Sequence, residues 1–138
     1  MNLVNAFSAA YKRAAKKGWD RIYVLVDIHG TIFRPSYERI ETYEYYPLAL
    51  DTLRNMSRRE EIRIILWSSS YTDQLMKYKE RLEVDGIKVD WINENPEVQN
   101  TELQCFSDKL YFNIGIDDKF GFDPEVDWEE VYDFFKLP

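Results

Sequence analysis

Apolar residues along the chain follow two periods, one typical of helices and one typical of buried strands. Residues 2–17 have apolar side chains three or four positions apart, which predicts a helix that ends at Gly18. The run RIYVLVD that follows is apolar on both faces, as expected of a strand buried between two layers. Further strands are predicted from IRIILW, IKVDWI and KLYFNIGIDD.

Helical patterns separate and follow these strands. A second helix is predicted from Pro47, a third over 72–84, and a terminal helix in DWEEVYDFF with Asp127 as its cap. Strands that alternate with helices in short units favour a parallel sheet with right-handed crossovers. The predicted fold class is therefore α/β: a three-layer, Rossmann-like parallel sheet flanked by helices.

The length of the chain suits one domain with a core of its own. Its 138 residues are too few for two domains of ordinary size. Within a single domain spanning residues 1–138, residues 1–18 form an N-terminal helical extension, 21–123 form the core, and 127–136 form the C-terminal helix.

Composition and charge indicate which partners and which compartment are expected. The net charge of −7 and the sequence pI of about 4.8 count against a long nucleic-acid track, although a nucleic-acid substrate is not excluded. The one cysteine, Cys105, cannot form an intramolecular disulfide, which fits a reducing compartment. No run approaches the ~18 apolar residues that cross a bilayer, and no secretory signal is visible. We therefore expect a cytoplasmic protein with no membrane partner.

Polar side chains follow three of the predicted strands at the point where each strand ends. Asp27 follows the first strand, Ser68 the second, and Asp117 and Asp118 the fourth. Because ligands bind at the carboxyl ends of parallel strands, we expect these side chains to converge. Three carboxylates repel one another unless a cation lies among them, and hard oxygen ligands suit Mg²⁺. With the metal present, Asp27 could attack a phosphorus atom and form an aspartyl-phosphate.

Four motifs in this order carry a resemblance to a known superfamily. VLVDIHGTI resembles an apolar strand that ends in D-x-D-G-T, and IILWSSS resembles a strand that ends in serine or threonine. DKLYFNIGIDDKFGFD resembles the lysine and acidic-pair motifs of small members. Over residues 21–123 the chain thus resembles the haloacid dehalogenase-like superfamily of phosphatases and phosphotransferases. It departs from the pattern at His29, which replaces an aspartate, and at Leu110, which replaces a proline.

The resemblance implies a haloacid dehalogenase-like fold with no large cap, because 31–47 leaves room only for a flap. It also implies Mg²⁺ as the cofactor. The implied roles are Asp27 as nucleophile and metal ligand, His29 as acid/base with its backbone carbonyl on the metal, Thr31 and Ser68 as phosphate ligands, Lys109 as the charge-balancing cation, and Asp117 and Asp118 as metal ligands.

Several of these residues have a second interpretation. Ser68 could help to cap the third helix instead of binding phosphate. Lys109 could be a solvated surface residue, and Lys119 could reach the site from the following loop. Asp123 could be a further acid near the site or an ordinary turn residue.

His29 has three interpretations. Its imidazole can exchange a proton near neutral pH, so it can serve a hydrolase as general acid and base. It could instead be a poor substitute for aspartate, which would give slow turnover or transfer to another acceptor. In the third interpretation the site is a relic that binds a phosphorylated ligand or partner.

The leading expectation is a phosphohydrolase that cleaves a phosphomonoester through an aspartyl-phosphate. The alternatives are a weak or inactive binding module and a nucleotide or polynucleotide 3′-phosphatase. An open site suits a phosphorylated macromolecule, or a small phosphorylated substrate enclosed by an oligomer. The NENP segment would shape the pocket rim, and Asn93 or Asn95 could touch the substrate. The tyrosines within 43–46 would pack in the core or the flap, or stack on a nucleobase.

Overall fold

The computed structural model describes residues 3–35 and 42–136, and it has alternating strands and helices. The elements in chain order are α1 Leu3–Lys17, β1 Ile22–Asp27, α2 Ala49–Ser57, β2 Ile62–Trp67, α3 Thr72–Val84, β3 Trp91–Ile92, β4 Ile114–Ile116 and α4 Trp128–Phe135. A short 3₁₀ turn, Asp118–Phe120, follows β4. The predicted α/β class is confirmed, with a parallel sheet flanked by helices.

The sheet has the strand order β3-β2-β1-β4, and all of its pairings are parallel. Strand β1 therefore lies between β2 and β4, and its carboxyl end has a neighbour on each side. In the β1–β2 register, Asp27 pairs with Trp67, so the last residues of these two strands are adjacent. On the other side, Leu25 pairs with Gly115 of β4.

The two faces of the sheet are covered differently. One face, made by the even-numbered residues of the strands, shares a single buried core with all four helices. The other face packs Tyr23, Leu25 and Ile65 against the coil segment 93–113. Right-handed crossovers explain the difference: β1 to β2 to β3 steps in one direction, whereas β3 to β4 steps back and crosses the opposite face. The third layer of this Rossmann-like fold is thus coil rather than helix.

Glu97 anchors the coil segment to the sheet. Its carboxylate accepts a hydrogen bond from Trp91 Nε1 at 2.6 Å and lies 3.6 Å from Arg63 Nε. It also pairs with Arg21, which immediately precedes β1. These contacts fix the coil at the edge of the sheet opposite the carboxyl ends.

Two predicted strands were too long. Of IKVDWI, only Trp91 and Ile92 pair with β2, while Ile87 and Val89 are buried in the core as coil. Of KLYFNIGIDD, only Ile114–Ile116 forms a strand. Residues 110–112 pack onto the sheet face instead of extending it, so their apolar character reflects burial without strand pairing.

Two predicted helix starts also need correction. Helix α2 begins at Ala49 rather than Pro47, because Leu48 has a left-handed backbone with φ 65°. Asp127 occupies the N-cap position immediately before α4, but its side chain forms no capping hydrogen bond. Its Oδ2 instead accepts the backbone N–H of Asp123 at 2.7 Å.

The tyrosines before α2 take part in packing. Tyr43 and Tyr45 contact the ring of Phe33, and Tyr45 also donates a hydrogen bond to Asp85 at 2.7 Å. The rest of the predicted flap, residues 36–41, lies outside the described residues. None of the helices in the described parts of the chain has the length and apolar character needed to span a membrane.

Trp128 joins α4 to the turn after β1 and gives a direct test of this packing. Its side chain is fully buried, and its Nε1 donates a hydrogen bond to the backbone carbonyl of Thr31 at 2.9 Å. Trp128→Phe would leave that carbonyl without its partner, so we expect the free energy of unfolding to fall by about 1–3 kcal/mol in urea denaturation. Trp19→Phe is the control, because Trp19 is 39% exposed. Equal losses in the two variants would contradict this role.

Candidate active site

The turn after β1 positions the first acid of the site. The carbonyl of Ile28 accepts hydrogen bonds from the backbone N–H groups of Thr31, Ile32 and Phe33, which closes a tight turn directly after Asp27. Ile28 and Ile32 are fully buried and fasten the turn to the core.

Gly30 has a geometric role in this turn. Its φ is 78°, and a Cβ at this position would lie 3.2 Å from Asp118 Oδ2. A side chain here would therefore be strained and would crowd the carboxylate. The glycine of DIHGT lets the turn after β1 and the turn after β4 approach each other.

The hydroxyl of Thr31 connects these two turns. Thr31 is fully buried, and its Oγ1 donates a hydrogen bond to Asp27 Oδ2 at 3.0 Å. The same oxygen accepts the backbone N–H of Asp118 at 3.1 Å. Thr31 thus holds the two acids of neighbouring strands together through one hydroxyl group.

The acids predicted from the strand ends are brought together. One carboxylate oxygen from each of Asp27, Asp117 and Asp118 lies within 4.8 Å of the other two. Asp117 is 6% exposed, and its Oδ1 accepts the backbone N–H of Lys119 at 2.9 Å, whereas Asp118 is exposed. These three carboxylates could together bind a hard cation from solvent, because Asp118 is exposed.

The electrostatics of the group favour a cation. Burial, together with the neighbouring charge of Asp117, raises the pKa of Asp27 to about 7, although the Thr31 hydrogen bond opposes the shift. Burial also raises the pKa of Asp117. Clustered carboxylates that are hard to ionise together suit a divalent metal, because its charge removes their repulsion. The residues present therefore fit Mg²⁺.

An open cleft of about 650 Å³ adjoins these acids. It is lined by Asp27, Trp67, Ser68, Ser69, Asn93, Asp117, Lys119 and Phe120. The cleft contains residues that follow β1, β2, β3 and β4, as expected for a site at the carboxyl ends of parallel strands. The predicted convergence of these strand ends is present in the structure.

Ser68 lines the cleft through a loop that Asn93 holds in place. Asn93 Oδ1 accepts the N–H of Ser68 at 2.9 Å, and its Nδ2 donates to the Ser68 carbonyl at 2.8 Å. The hydroxyl of Ser68 accepts the N–H of Ser70 at 3.1 Å. The first position of α3 is preceded by Tyr71, which makes no capping hydrogen bond, so Ser68 shapes the loop before the helix instead of capping it.

Asn93 holds the Ser68 loop and also has an unusual backbone conformation. Its backbone is left-handed, with φ 55°, which Asn tolerates better than most residues. Asn95, by contrast, is buried and donates to the carbonyl of Tyr111 at 2.8 Å. Asn93 therefore belongs to the cleft, whereas Asn95 supports the coil layer.

The lysine that lines the cleft is Lys119. Lys109 lines a different cavity of about 360 Å³, together with residues 104–106 and 110–112. The KLYFNIGIDD segment places Lys109 before the coil that covers the sheet face, while Lys119 directly follows the acidic pair. Lys119, the alternative cation in the sequence prediction, is therefore the lysine that shares a cleft with Asp27 and Asp117. Asp123 Oδ1 accepts the N–H of Glu125 at 3.1 Å, as in an ordinary turn.

The ring of His29 pairs with a residue of α3. Its Nε2 lies 2.8 Å from the hydroxyl of Tyr78 on α3, and the two rings meet edge to face. Burial lowers the pKa of His29, so the neutral ring is favoured near pH 7. Among the described residues, His29 neither lines the cleft nor contributes a ring nitrogen to the carboxylate group. Nothing in the sequence pattern signals this pairing with Tyr78.

Comparison with known proteins identifies a structural relative. The chain is similar to a solved structure of a conserved protein from Bacteroides thetaiotaomicron, with 32% sequence identity and a TM-score of 0.64. The match covers 84% of this chain and 90% of that one. No family model and no curated protein matches the chain.

The raised pKa of Asp27 predicts how stability depends on pH in metal-free buffer. The folded protein holds this proton up to about pH 7, whereas the unfolded chain releases it near pH 4. The folded state therefore binds more protons in this interval, and its stability falls as pH rises from about 4 to 7. Asp27→Asn removes this contribution, so at pH 8 the variant should be more stable than the native protein by about 1–2 kcal/mol, since partial solvation reduces the effect.

The measurement is urea denaturation between pH 4 and pH 8 with a chelator present. The two stability curves should converge near pH 4. Asp108→Asn changes an exposed carboxyl outside the group and serves as the control. Parallel curves for Asp27→Asn and the native protein would contradict the shift.

Proposed function

This chain belongs to the same family as the conserved Bacteroides thetaiotaomicron protein, and we propose that it is a Mg²⁺-dependent phosphohydrolase of the haloacid dehalogenase-like type. The observation that carries the proposal is the group of three carboxylates, in which Thr31 links Asp27 to Asp118, beside a cleft that contains Ser68 and Lys119. The proposed substrate is a phosphomonoester.

The metal would be held by Asp27, Asp117 and Asp118, with the backbone carbonyl of His29 as a further ligand. When bound, Mg²⁺ supplies positive charge that stabilises the phosphoryl group during transfer. In this proposal Lys119 supplies the second positive charge, in place of Lys109, because Lys119 lines the cleft. Ser68, which lines the same cleft and follows the neighbouring strand β2, is the proposed phosphate ligand.

Asp27 is the proposed nucleophile. The hydrogen bond from Thr31 to Oδ2 fixes the rotation of its carboxylate at the mouth of the cleft. A carboxylate oxygen of Asp27 forms a bond to phosphorus while the bond from phosphorus to the ester oxygen breaks. The ester oxygen leaves with the electron pair and takes a proton from solvent. Water then attacks the phosphorus, releases phosphate and restores Asp27. In this scheme Thr31 acts on Asp27 and Asp118 as a positioning residue rather than as the direct phosphate ligand expected from the sequence.

His29 is assigned the proton transfer in the second step. A neutral imidazole can accept a proton from the attacking water, but it has little capacity to protonate a leaving group. The pairing with Tyr78 means that the ring must turn toward the cleft to act. The first step would therefore receive little assistance from His29.

The second candidate is a binding module that holds a phosphorylated ligand without cleaving it. The contact between His29 and Tyr78 favours it, because it removes the candidate acid from the cleft. A polynucleotide 3′-phosphatase has less support, since Lys119 shares the cleft with the carboxylates of Asp27 and Asp117 and the chain has a net charge of −7. The unpaired, exposed Cys105 suits the cytoplasm as the proposed compartment.

Substitution of Asp27 tests the covalent mechanism. With Mg²⁺ and a panel of phosphomonoesters, we expect Asp27→Asn to lower kcat by on the order of 10³-fold or more, because the amide cannot attack phosphorus. Asp108→Asn should retain native activity. Hydrolysis that survives Asp27→Asn would contradict the nucleophile.

The same assay separates the alternatives for His29. His29→Ala should lower kcat by about 10²-fold if the ring accepts the proton. A nearly silent native protein that gains activity as His29→Asp would contradict this role while leaving Asp27 as nucleophile. Tight binding of a phosphorylated ligand without hydrolysis would support the binding module.

Gly30 provides a test of the metal site. Gly30→Ala should weaken Mg²⁺ binding by about tenfold in calorimetric titration, because its Cβ displaces the Asp118 carboxylate. Gly18→Ala is a matched control: Gly18 has a similar φ of 71°, but a Cβ there meets no atom within 4 Å. Both variants carry backbone strain, so only the difference between them reports on the metal. Equal Mg²⁺ affinities would overturn the assignment of Asp118.

A further inference from the structure

Two large exposed aromatic side chains line the same cleft as Asp27. Trp67 is 39% exposed and Phe120 is 48% exposed. Exposed aromatic rings are ordinary when scattered singly, but two that share a cleft with a candidate nucleophile form a potential contact surface for a ligand.

The strand register places these rings on opposite sides of Asp27. Trp67 ends β2 and pairs directly with Asp27, so it flanks the acid on one side. Phe120 follows β4, and its ring atoms lie 3.3–3.4 Å from the position that a Cβ of Gly115 would occupy. Gly115 therefore leaves room for the ring to pack over β4, on the other side of β1.

The separation of β2 and β4 leaves room for one planar ring between the side chains of Trp67 and Phe120. Strands β2 and β4 are two strand spacings apart, which is about 10 Å. Paired aromatic rings prefer centroid distances of about 4.5–7 Å, so a ring that contacts both sides needs flanking rings about 9–14 Å apart. A ring bound between Trp67 and Phe120 would therefore lie within the cleft that contains Asp27.

The position of His29 also favours a leaving group that carries an aromatic ring. Its ring is held by Tyr78 and, among the described residues, does not line the cleft. Leaving groups that depart without strong proton donation therefore fit this site best. A phenol ionises near pH 10, far more readily than an aliphatic alcohol.

Building on the phosphatase function proposed above, we propose that this cleft prefers aryl phosphates. These are phosphomonoesters whose ester oxygen is bonded directly to an aromatic ring, and the ring lies between Trp67 and Phe120. Asp27 forms a bond to phosphorus while the bond from phosphorus to the aryl oxygen breaks, and the phenoxide leaves with the electron pair and takes a proton from solvent. Water then hydrolyses the aspartyl-phosphate to phosphate and the free carboxylate.

A binding experiment with stable phosphonates tests the aromatic preference without requiring turnover. Benzylphosphonate and cyclohexylmethylphosphonate have rings of the same size, but only the first is planar and aromatic. With Mg²⁺ present, we expect calorimetry to show about tenfold tighter binding of benzylphosphonate. Trp67→Ala should reduce this ratio to near one. Trp19→Ala should preserve it, because Trp19 is equally exposed and lies outside the cleft.

Phe120→Leu provides a second variant on the other flank, and it should reduce the same ratio. Thermal unfolding of each variant verifies that it is folded before binding is compared. Equal binding of the two phosphonates, no binding of either, or an aromatic preference that survives both substitutions would overturn the proposal.

Kinetics with several phosphomonoesters test whether the aromatic ring must be bonded directly to the ester oxygen. The kcat/KM for O-phosphotyrosine, both free and within a short peptide, should fall about tenfold in Trp67→Ala, while that for glycerol 3-phosphate, which has no ring, should fall by a smaller factor. A higher kcat/KM for adenosine 5′-monophosphate than for O-phosphotyrosine, with the same loss in Trp67→Ala, would overturn the direct bond between ring and ester oxygen. Selective binding of benzylphosphonate without hydrolysis of any substrate would support the aromatic site and refute the phosphatase function.

Discussion

The hydroxyl group of Thr31 is the contact on which the candidate site depends. It donates to the carboxylate of Asp27 at 3.0 Å and accepts the backbone N–H of Asp118 at 3.1 Å, so it ties the turn after β1 to the turn after β4. The backbone carbonyl of Thr31 accepts the indole N–H of Trp128, which fixes the same residue to α4. Because Gly30 has no side chain, Asp118 can approach this turn closely. These contacts of Thr31 and Gly30 keep the turns that carry the three carboxylates next to each other.

The electrostatic consequence is a site that favours binding a cation. Burial and mutual repulsion raise the pKa of Asp27 to about 7, so without a metal the group tends to keep a proton. A divalent cation would remove this penalty by replacing the proton. The coil layer 93–113 covers the sheet face without a helix, and the cleft beside Asp27 stays open to solvent-sized molecules and larger ligands. The same open face exposes Trp67 and Phe120.

Sequence periodicity was sufficient to predict the α/β class and most of the helices, because each pattern reflects burial of one face. The strand-end residues Asp27, Ser68 and Asp117 could be predicted as neighbours, since parallel strands share one carboxyl edge. Strand length could not be predicted where apolar residues are buried as coil, as in 110–112. The positions of the lysine and the histidine could not be predicted, because they depend on tertiary contacts. Lys119 rather than Lys109 lines the cleft. His29 pairs with a tyrosine 49 residues away along the chain.

Diffraction from crystals soaked in Mn²⁺ would show whether the three carboxylates hold a metal ion, since Mn²⁺ occupies oxygen-rich Mg²⁺ sites and scatters anomalously. We expect an anomalous peak among the three carboxylates, at about 2.0–2.2 Å from oxygen atoms of Asp27, Asp117 and Asp118. The peak should disappear in Asp118→Asn crystals soaked in the same way. No peak at this position in native crystals, with the carboxylates still within 4.8 Å of one another, would contradict the account.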